Sequence, residues 1–429
     1  MAEGALSRLR DGAPGALPPR TPPAGPREPG AMAQGHSRPA WAEIDLAAIT
    51  HNAGVLSRLV QPARLCAVVK AHGYGHGGPS AARAALAGGS AQLAVALVDE
   101  GVELRQHDVR GPILLLSECG ADAVDTALAY GLTPTLYTAE GIEQFAGAAR
   151  RRGQTTPVHV KVDTGMHRVG ARAAAVPALV RAIADEPLLR VEGLWTHFPV
   201  ADGDTDEDRA FTRGQMAQLD GVVDELRRAG TRPALIHAAN TAGAIAFPAA
   251  RYGMVRCGIG LYGYLPGPAV QAAFAAASGG ETLRPAMSLR ARVVSVRTLE
   301  AGERPSYGRL RALPRRSVVA TVPVGYADGV PRALFAGGCR VLVGGRRRPL
   351  AGTVTMDQIM VDCGEDSSVA PGDEVVLLGR QSDEEITADE WAGLLGTISY
   401  EILCGIGPRV PRIAVNAVEE PGGSTPPPH

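Results

Sequence analysis

The sequence predicts an α/β chain, with an N-terminal (β/α)8 barrel followed by a C-terminal, mostly-β domain. Three observations predict it. Eight short apolar runs of strand length alternate with Ala/Leu/Arg-rich stretches of helical period up to residue 257. Beyond residue 265 that alternation stops, and β-branched runs follow turn signals instead. The length of 429 residues accommodates two or three domains with large cores.

Residues 1–38 are rich in Pro, Gly, Ala and Arg and contain no apolar h-region. They read as a disordered extension rather than a secretory signal. Met32, just before the first ordered-looking stretch, is a candidate start codon. The strand runs are Leu65–Lys70, Leu93–Leu97, Pro112–Leu116, Thr133–Tyr137, Val158–Val162, Val191–Thr196, Ala234–His237 and Met254–Cys257. Helical segments between them include Ser80–Ala87, Ala139–Arg151, Ala173–Asp185 and Asp206–Ala229. A doubly wound open sheet is the competing arrangement, and the count of eight favours the barrel. Ala269–Gly280 reads as an Ala/Gly-rich connector, so the barrel with its connector is placed at 39–280. The second domain, at 281–416, carries the runs Arg292–Val296, Val318–Pro323, Cys339–Val343, Gln358–Asp362 and Glu374–Leu378, with a short helix at Ala388–Leu395. Residues 417–429 read as a disordered tail. No internal repeat is visible.

Composition excludes several classes of function. The net charge of -1 and pI of about 6.8 give no electrostatic argument for nucleic acid. The cluster Arg346-Arg347-Arg348 is short and reads as a solvated face. Six scattered cysteines lack the paired spacing of a zinc site, so no metal is expected, and they fit a reducing, cytoplasmic setting. No apolar run reaches the roughly 18 residues needed to cross a membrane.

Only two of the 43 basic side chains are lysine, Lys70 and Lys161. A guanidinium is effectively never neutral and cannot serve as an amine nucleophile. A lysine retained in an arginine-rich chain is therefore a candidate for amine chemistry, against the plainer reading of two leftover surface charges. Barrel enzymes build their sites at the C-terminal ends of the strands, and Lys70 ends the first run. The glycine-rich stretch after it, to Gly77, lets backbone approach a ligand closely. Tyr74, one helical turn on, offers a hydroxyl in the same direction. The loops after the seventh and eighth strands of such barrels often bind phosphate. Here they contain Thr241, a candidate helix N-cap, and Gly258 and Ile259, which can present backbone N–H groups. Taken singly, each is ordinary capping or turn chemistry. An amine facing a phosphate cradle across the mouth suits pyridoxal 5'-phosphate (PLP), whose aldehyde and phosphate lie on opposite sides of its ring. Arg256 sits inside the eighth strand, where a charge must be paired or functional. Facing the pyridine nitrogen, it would keep that nitrogen unprotonated, weaken the electron sink and suppress transamination. His197, at the end of the sixth strand, could stack on the ring or bond Arg256.

The stretch Ala67–Gly77 resembles the PLP-lysine signature of bacterial alanine racemases. The resemblance continues through Trp41–Leu46, Lys161–Arg168, His237–Thr241, Ser306–Gly308, Val324–Gly329, Met356–Gln358 and Val410–Arg412, in order, across residues 41–412. It implies that Lys70 binds PLP covalently and is the base on the D-side of the α-carbon, with Tyr307 the opposing base on the L-side. It implies that Tyr74, Thr241, Gly258, Ile259 and Tyr400 hold the phosphate. Arg168 would bond the substrate carboxylate, Met356 would offer it a backbone N–H, and Tyr326 would narrow the entrance. A tyrosine base needs a cationic neighbour, and the pair His197 and Arg256 is the candidate. The resemblance further implies a head-to-tail homodimer in which Tyr307, Tyr326 and Met356 serve the other subunit's site, and production of D-alanine for peptidoglycan. Lys161 matches a lysine that carries a carbamate in many members; the plainer reading is a salt bridge to Asp163.

Five positions depart from the usual pattern. His72 replaces a common Asn, His167 a common Gly, Cys257 a common Pro and Thr355 a common Cys or Ser, while Thr241 keeps the hydroxyl of the usual Ser. The competing functions are a non-catalytic PLP-binding homeostasis protein, a broad-specificity or serine racemase, and a barrel decarboxylase. The first would lack the second domain and Tyr307, and the last would lack the Tyr307 and Met356 motifs.

Overall fold

The computed structural model describes residues 38–417. The expected disordered ends and Met32 lie outside the described residues, apart from the edge residues Arg38 and Ala417. Arg38 belongs to the fold: its guanidinium grips both carboxylate oxygens of fully buried Asp328, at 2.5 and 2.6 Å.

Each of the eight runs holds a strand: β1 (Arg64–Val68), β2 (Gln92–Val95), β3 (Ile113–Leu115), β4 (Thr135–Leu136), β5 (Thr156–Asp163), β6 (Leu189–Trp195), β7 (Leu235–His237) and β8 (Met254–Cys257). Their spatial order is β3-β2-β1-β8-β7-β6-β5-β4, and every neighbouring pair is parallel. A parallel bridge between Leu114 and Thr133 joins the two ends and nearly closes the barrel. Helices lie between the strands, and side chains fix where they begin. Thr138 Oγ1 accepts from Gly141 N–H at 2.9 Å, and Thr205 Oγ1 from Asp208 N–H at 3.1 Å, at the starts of Ala139–Arg152 and Asp206–Arg228. The segment expected as one helix over Ala173–Asp185 is a 3-10 turn, Ala173–Ala175, followed by the helix Val176–Ala184. The expected connector is largely a helix, Gly267–Ala277, which buries Val270 and Phe274. Its alanines have the highest helix propensity, and two apolar anchors outweigh the flanking glycines.

The strand Ala40–Asp45 corrects the barrel assignment of 39–280. It pairs antiparallel with Met287–Arg292 and parallel with Arg412–Val415, so this strand belongs to the β-domain's sheet. That sheet continues through Glu374–Gln381, Arg340–Val343 and Arg346–Pro349. A second sheet holds Ser295–Leu299, Ser317–Val322 and Ile359–Asp362. The expected strand Arg292–Val296 straddles the break between Met287–Arg292 and Ser295–Leu299. Of the Arg346–Arg348 cluster, Arg346 is exposed as expected of a solvated face, but the other two are tied into the domain. Arg347 binds Glu384, Glu390 and the carbonyl of Glu385, and Arg348 binds Asp366 and the carbonyl of Cys363. From this domain the helices Ala388–Leu395 and Ser399–Cys404 bring Asp389, Ala392 and Tyr400 to the wall of a cavity at the barrel mouth.

Candidate active site

Barrel interiors are usually filled by branched apolar side chains. Here β5 to β8 carry a polar stack instead. Register places Lys161 beside Trp195, and Trp195 beside His237. The indole is the floor of the stack: Arg256 lies 4.4 Å and Lys161 Nζ 4.5 Å from its ring centre, and His237 stacks on it at 5.4 Å. Its Nε1–H donates to Thr135 Oγ1 at 3.2 Å. The π face offsets part of the cost of burying two cations.

Arg256 fixes the protons of its neighbours. Its Nη1 donates to His237 Nδ1 at 2.8 Å, and its Nη2 donates to His197 Nδ1 at 3.0 Å and to the carbonyls of Thr196 and Ala238. A guanidinium only donates, so both imidazoles must accept through Nδ1. His237 then carries its proton on Nε2 and donates to His159 Nδ1 at 2.9 Å. His159 in turn points Nε2 toward Glu192, at 3.6 Å. Burial, then the Arg256 charge, holds both His197 and His237 well below the ordinary histidine range. They are neutral, and His197 carries its proton on Nε2. The Nε–H of Arg256 makes no hydrogen bond among the described residues.

Above this floor opens a cavity of about 990 Å³. Ten of the thirteen residues singled out from the sequence line it: Lys70, Tyr74, Lys161, Arg168, His197, Thr241, Arg256, Gly258, Ile259 and Tyr400. Burial, then the Arg168 charge, lowers the pKa of Lys70. Burial, then Arg256 and Arg168, brings Lys161 down to about 7. Asp163 is not the ion-pair partner of Lys161. Its carboxylate accepts from the N–H groups of Gly165 and His167 and binds the His167 ring. Arg168 has no ion-pair partner among the described residues, which leaves its guanidinium available to a carboxylate in the cavity.

The turn after Lys70 departs from expectation. Ala71, His72, Gly73 and Tyr74 all have positive φ, at 51°, 54°, 64° and 52°, so this helical turn is left-handed. Such backbone costs roughly 1–2 kcal/mol per non-glycine residue. The strain sits between a lysine and a tyrosine that line one cavity. The Tyr74 hydroxyl reaches the loop after β8, where a Cβ on Gly258 would lie 2.3 Å from it. Tyr400 packs on Tyr74, ring centres 5.9 Å apart. Thr241 is not the N-cap of its helix. Asn240 fills that role, its Oδ1 accepting from Gly243 N–H at 2.9 Å. Thr241 Oγ1 accepts from Gly258 N–H at 3.1 Å, leaving its own proton to donate. Tyr74, Thr241 and Tyr400 therefore gather three hydroxyl-bearing side chains beside the loop after β8, in the cavity that Lys70 also lines.

Tyr307, Tyr326 and Met356 are not in this cavity. They are 73%, 43% and 52% exposed. The loop 353–356 gathers them: Thr353 Oγ1 donates to the Tyr307 carbonyl, Tyr326 N–H donates to the Thr355 carbonyl, and Ala327 N–H donates to the Met356 carbonyl. Sequence reasoning missed Trp195 and the His237–His159 chain. The available signal was His159 and Lys161 two residues apart on one strand, which puts both on the inner face.

A parallel barrel with two pKa-depressed amines at its mouth, rimmed by helices of an appended β-domain, defines an enzyme site of the barrel class. Residues 44–266 match the alanine racemase N-terminal domain, and residues 286–414 match the alanine racemase C-terminal domain. The chain belongs to the alanine racemase family, a family of isomerases. An alanine racemase of Symbiobacterium thermophilum is 46% identical over 375 residues, covering 87% of this chain and 97% of its own. The crystal structure of alanine racemase from D-cycloserine-producing Streptomyces lavendulae superposes with a TM-score of 0.82 at 35% identity, covering 89% of this chain and 98% of that one. A histidine racemase from Leuconostoc mesenteroides subsp. sake superposes at 0.78 with 29% identity, covering 88% of this chain and 98% of that one.

Proposed function

We propose that the chain interconverts L- and D-alanine with PLP as cofactor, acting as a cytoplasmic, head-to-tail homodimer that supplies D-alanine for peptidoglycan. The observation that carries this is the presence, in the lining of one cavity, of the Lys70 amine, the hydroxyl-bearing residues Tyr74, Thr241 and Tyr400, and the Arg256 guanidinium. The donor set fits PLP. The hydroxyls suit a phosphate, and the donor-only guanidinium suits an unprotonated ring nitrogen. Gly258 leaves open the space that a Cβ would take from the Tyr74 hydroxyl. Bound there, PLP would supply an electron sink that acidifies the α-carbon of an amino acid.

The chain's own groups would do the rest. Lys70 would hold the cofactor through its amine and, freed from it, move a proton on the D-side of the α-carbon. Its lowered pKa favours the neutral base. Arg168 would hold the substrate carboxylate, and a carbamate on Lys161 would orient Arg168. A second base must reach the opposite face, because removing and returning a proton on one face leaves configuration unchanged. Tyr307 is the candidate, and a partner subunit would bring it to the site together with Tyr326 and Met356. His197, neutral with its proton on Nε2, would stabilise the tyrosinate by donating to it. The match of residues 286–414 to the C-terminal domain argues against a PLP-binding homeostasis protein. All six cysteines are free thiols, in keeping with a reducing compartment.

The test is incubation of the PLP-loaded protein with L-alanine in deuterated water, with L-serine and L-histidine in parallel. Loss of optical rotation with deuterium at the α-carbon of alanine is expected. No exchange with alanine refutes the proposal, and exchange of serine or histidine at a matching rate replaces it with a broader one.

A further inference from the structure

The motif after Lys70 contains a buried group that the site chemistry leaves unused. His76 is 1% exposed and lies outside the cavity lining. Its Nδ1 lies 3.1 Å from the Gly73 carbonyl and 3.0 Å from the Tyr74 carbonyl. Carbonyls only accept, so Nδ1 carries the proton and the ring is the Nδ1–H tautomer. Its Nε2 has no hydrogen-bond partner among the described residues. A buried unpaired nitrogen carries a cost, so something must hold the ring in this pose.

The ring bonds the last two residues of the left-handed turn, and it also stacks. Its centre lies 4.4 Å from that of Tyr262, and Tyr262 lies 5.0 Å from Tyr74, with interplanar angles of 27° and 29°. The Tyr262 hydroxyl donates to the Val68 carbonyl, the last residue of β1 before the Lys70 turn. Two further groups bracket the turn: Glu100 accepts from Ala71 N–H at 2.6 Å, and Arg412 donates to the Gly75 carbonyl at 2.9 Å. His76 touches both the strained backbone and the ring pile against which the Tyr74 side chain stacks.

We infer that His76 is a positioning residue: its Nδ1–H and its stack on Tyr262 hold the left-handed turn 71–74, and so set where the Tyr74 hydroxyl stands relative to the Lys70 amine. A ligand that must be met at both ends feels that spacing directly. The inference rests on the proposed PLP site, and it concerns affinity rather than turnover. Burial lowers the His76 pKa to about 4, which keeps the ring neutral across the working range.

Three variants separate the parts. His76→Phe keeps a stacking ring and removes the donor. His76→Asn places a side-chain N–H near the position of Nδ1. His76→Gln places it near that of Nε2, away from the two carbonyls. The readout is the PLP dissociation constant, titrated by the visible absorbance of the bound cofactor, beside the melting temperature of each cofactor-free protein. The expected result is binding weakened about tenfold or more in His76→Phe and His76→Gln, as for other residues that orient a ligand-bearing group, with most of the loss recovered in His76→Asn. PLP affinity in His76→Phe equal to that of the unsubstituted protein overturns the inference. So does a His76→Asn no tighter than His76→Gln, a comparison that stands even where His76→Phe does not fold. An Nδ1–H signal of His76 in nitrogen-15 spectra of the cofactor-free protein is expected, and an Nε2–H signal in its place overturns the inference without reference to PLP. A protein that binds PLP but does not racemise alanine refutes the proposed function and leaves this inference standing.

Discussion

Lys161 gives the most quantitative prediction. The residue is 2% exposed and its amine sits over Trp195; burial, then the charges of Arg256 and Arg168, bring its pKa to about 7. An ordinary lysine, near 10.4, is about 0.4% neutral at pH 8, whereas an amine of pKa 7 is roughly 90% neutral, a gain of over two hundredfold in the reactive form. A neutral amine adds carbon dioxide to form a carbamate and releases one proton. The product is an anion between two arginines, where the protonated amine was a third cation. Under labelled carbon dioxide at fixed partial pressure, the carbon-13 carbamate signal is expected to rise through pH 7, and Lys161→Arg is expected to lack it. Without carbon dioxide the sign of the stability effect is set. The amine binds fewer protons folded than unfolded between pH 7 and its unfolded pKa. It therefore destabilises the fold fully below pH 7, and that cost is relieved as pH rises through the window. A missing carbamate signal at pH 8, or one that persists in Lys161→Arg, refutes the reasoning.

Two further outcomes follow from the site. Gly258→Ala would put a methyl 2.3 Å from the Tyr74 hydroxyl. Tyr74 stacks on Tyr262 with ring centres 5.0 Å apart, which opposes its displacement, so PLP affinity is expected to fall about tenfold or more, or roughly 1.4 kcal/mol, measured by visible titration. Arg256→Met removes the charge that, after burial, keeps His197 and His237 neutral. Both imidazoles are expected to titrate at higher pH in proton NMR, and unchanged titration contradicts the assigned network.

The barrel was legible because its strands are buried on both faces and read as short apolar runs at regular intervals. Its closing details were not. The strand Ala40–Asp45 sits ahead of the first helix in sequence, yet its hydrogen bonds go to strands more than two hundred residues away, and local pattern carries no such pairing. The Arg346–Arg348 strand was hidden because its partners, Glu384, Glu390 and Asp366, lie on other segments. The site was legible where one residue type has few other uses, as with Lys70, Lys161 and Arg256. Two unusual residues acquire a physical reading. His72 and His167 both have φ of 54°, the left-handed region that glycine and asparagine enter most readily and histidine more readily than most. Backbone handedness is what the sequence concealed most. The Lys70–Tyr74 turn reads as an ordinary helical turn and winds the other way. The exposure of Tyr307, Tyr326 and Met356 likewise has no local signature, and the proposed dimer gives these residues a role at a partner's site.

That last point is the central claim, and one measurement tests it directly. Lys70→Ala protein and Tyr307→Phe protein, each loaded with PLP, are assayed for L-alanine racemisation separately and after mixing and subunit exchange. A site shared between two chains predicts that each alone is inactive. Random exchange then restores roughly a quarter of the unsubstituted activity, because half the dimers carry one intact site. Activity that stays absent in the exchanged mixture, with mixed dimers verified by mass, contradicts the account.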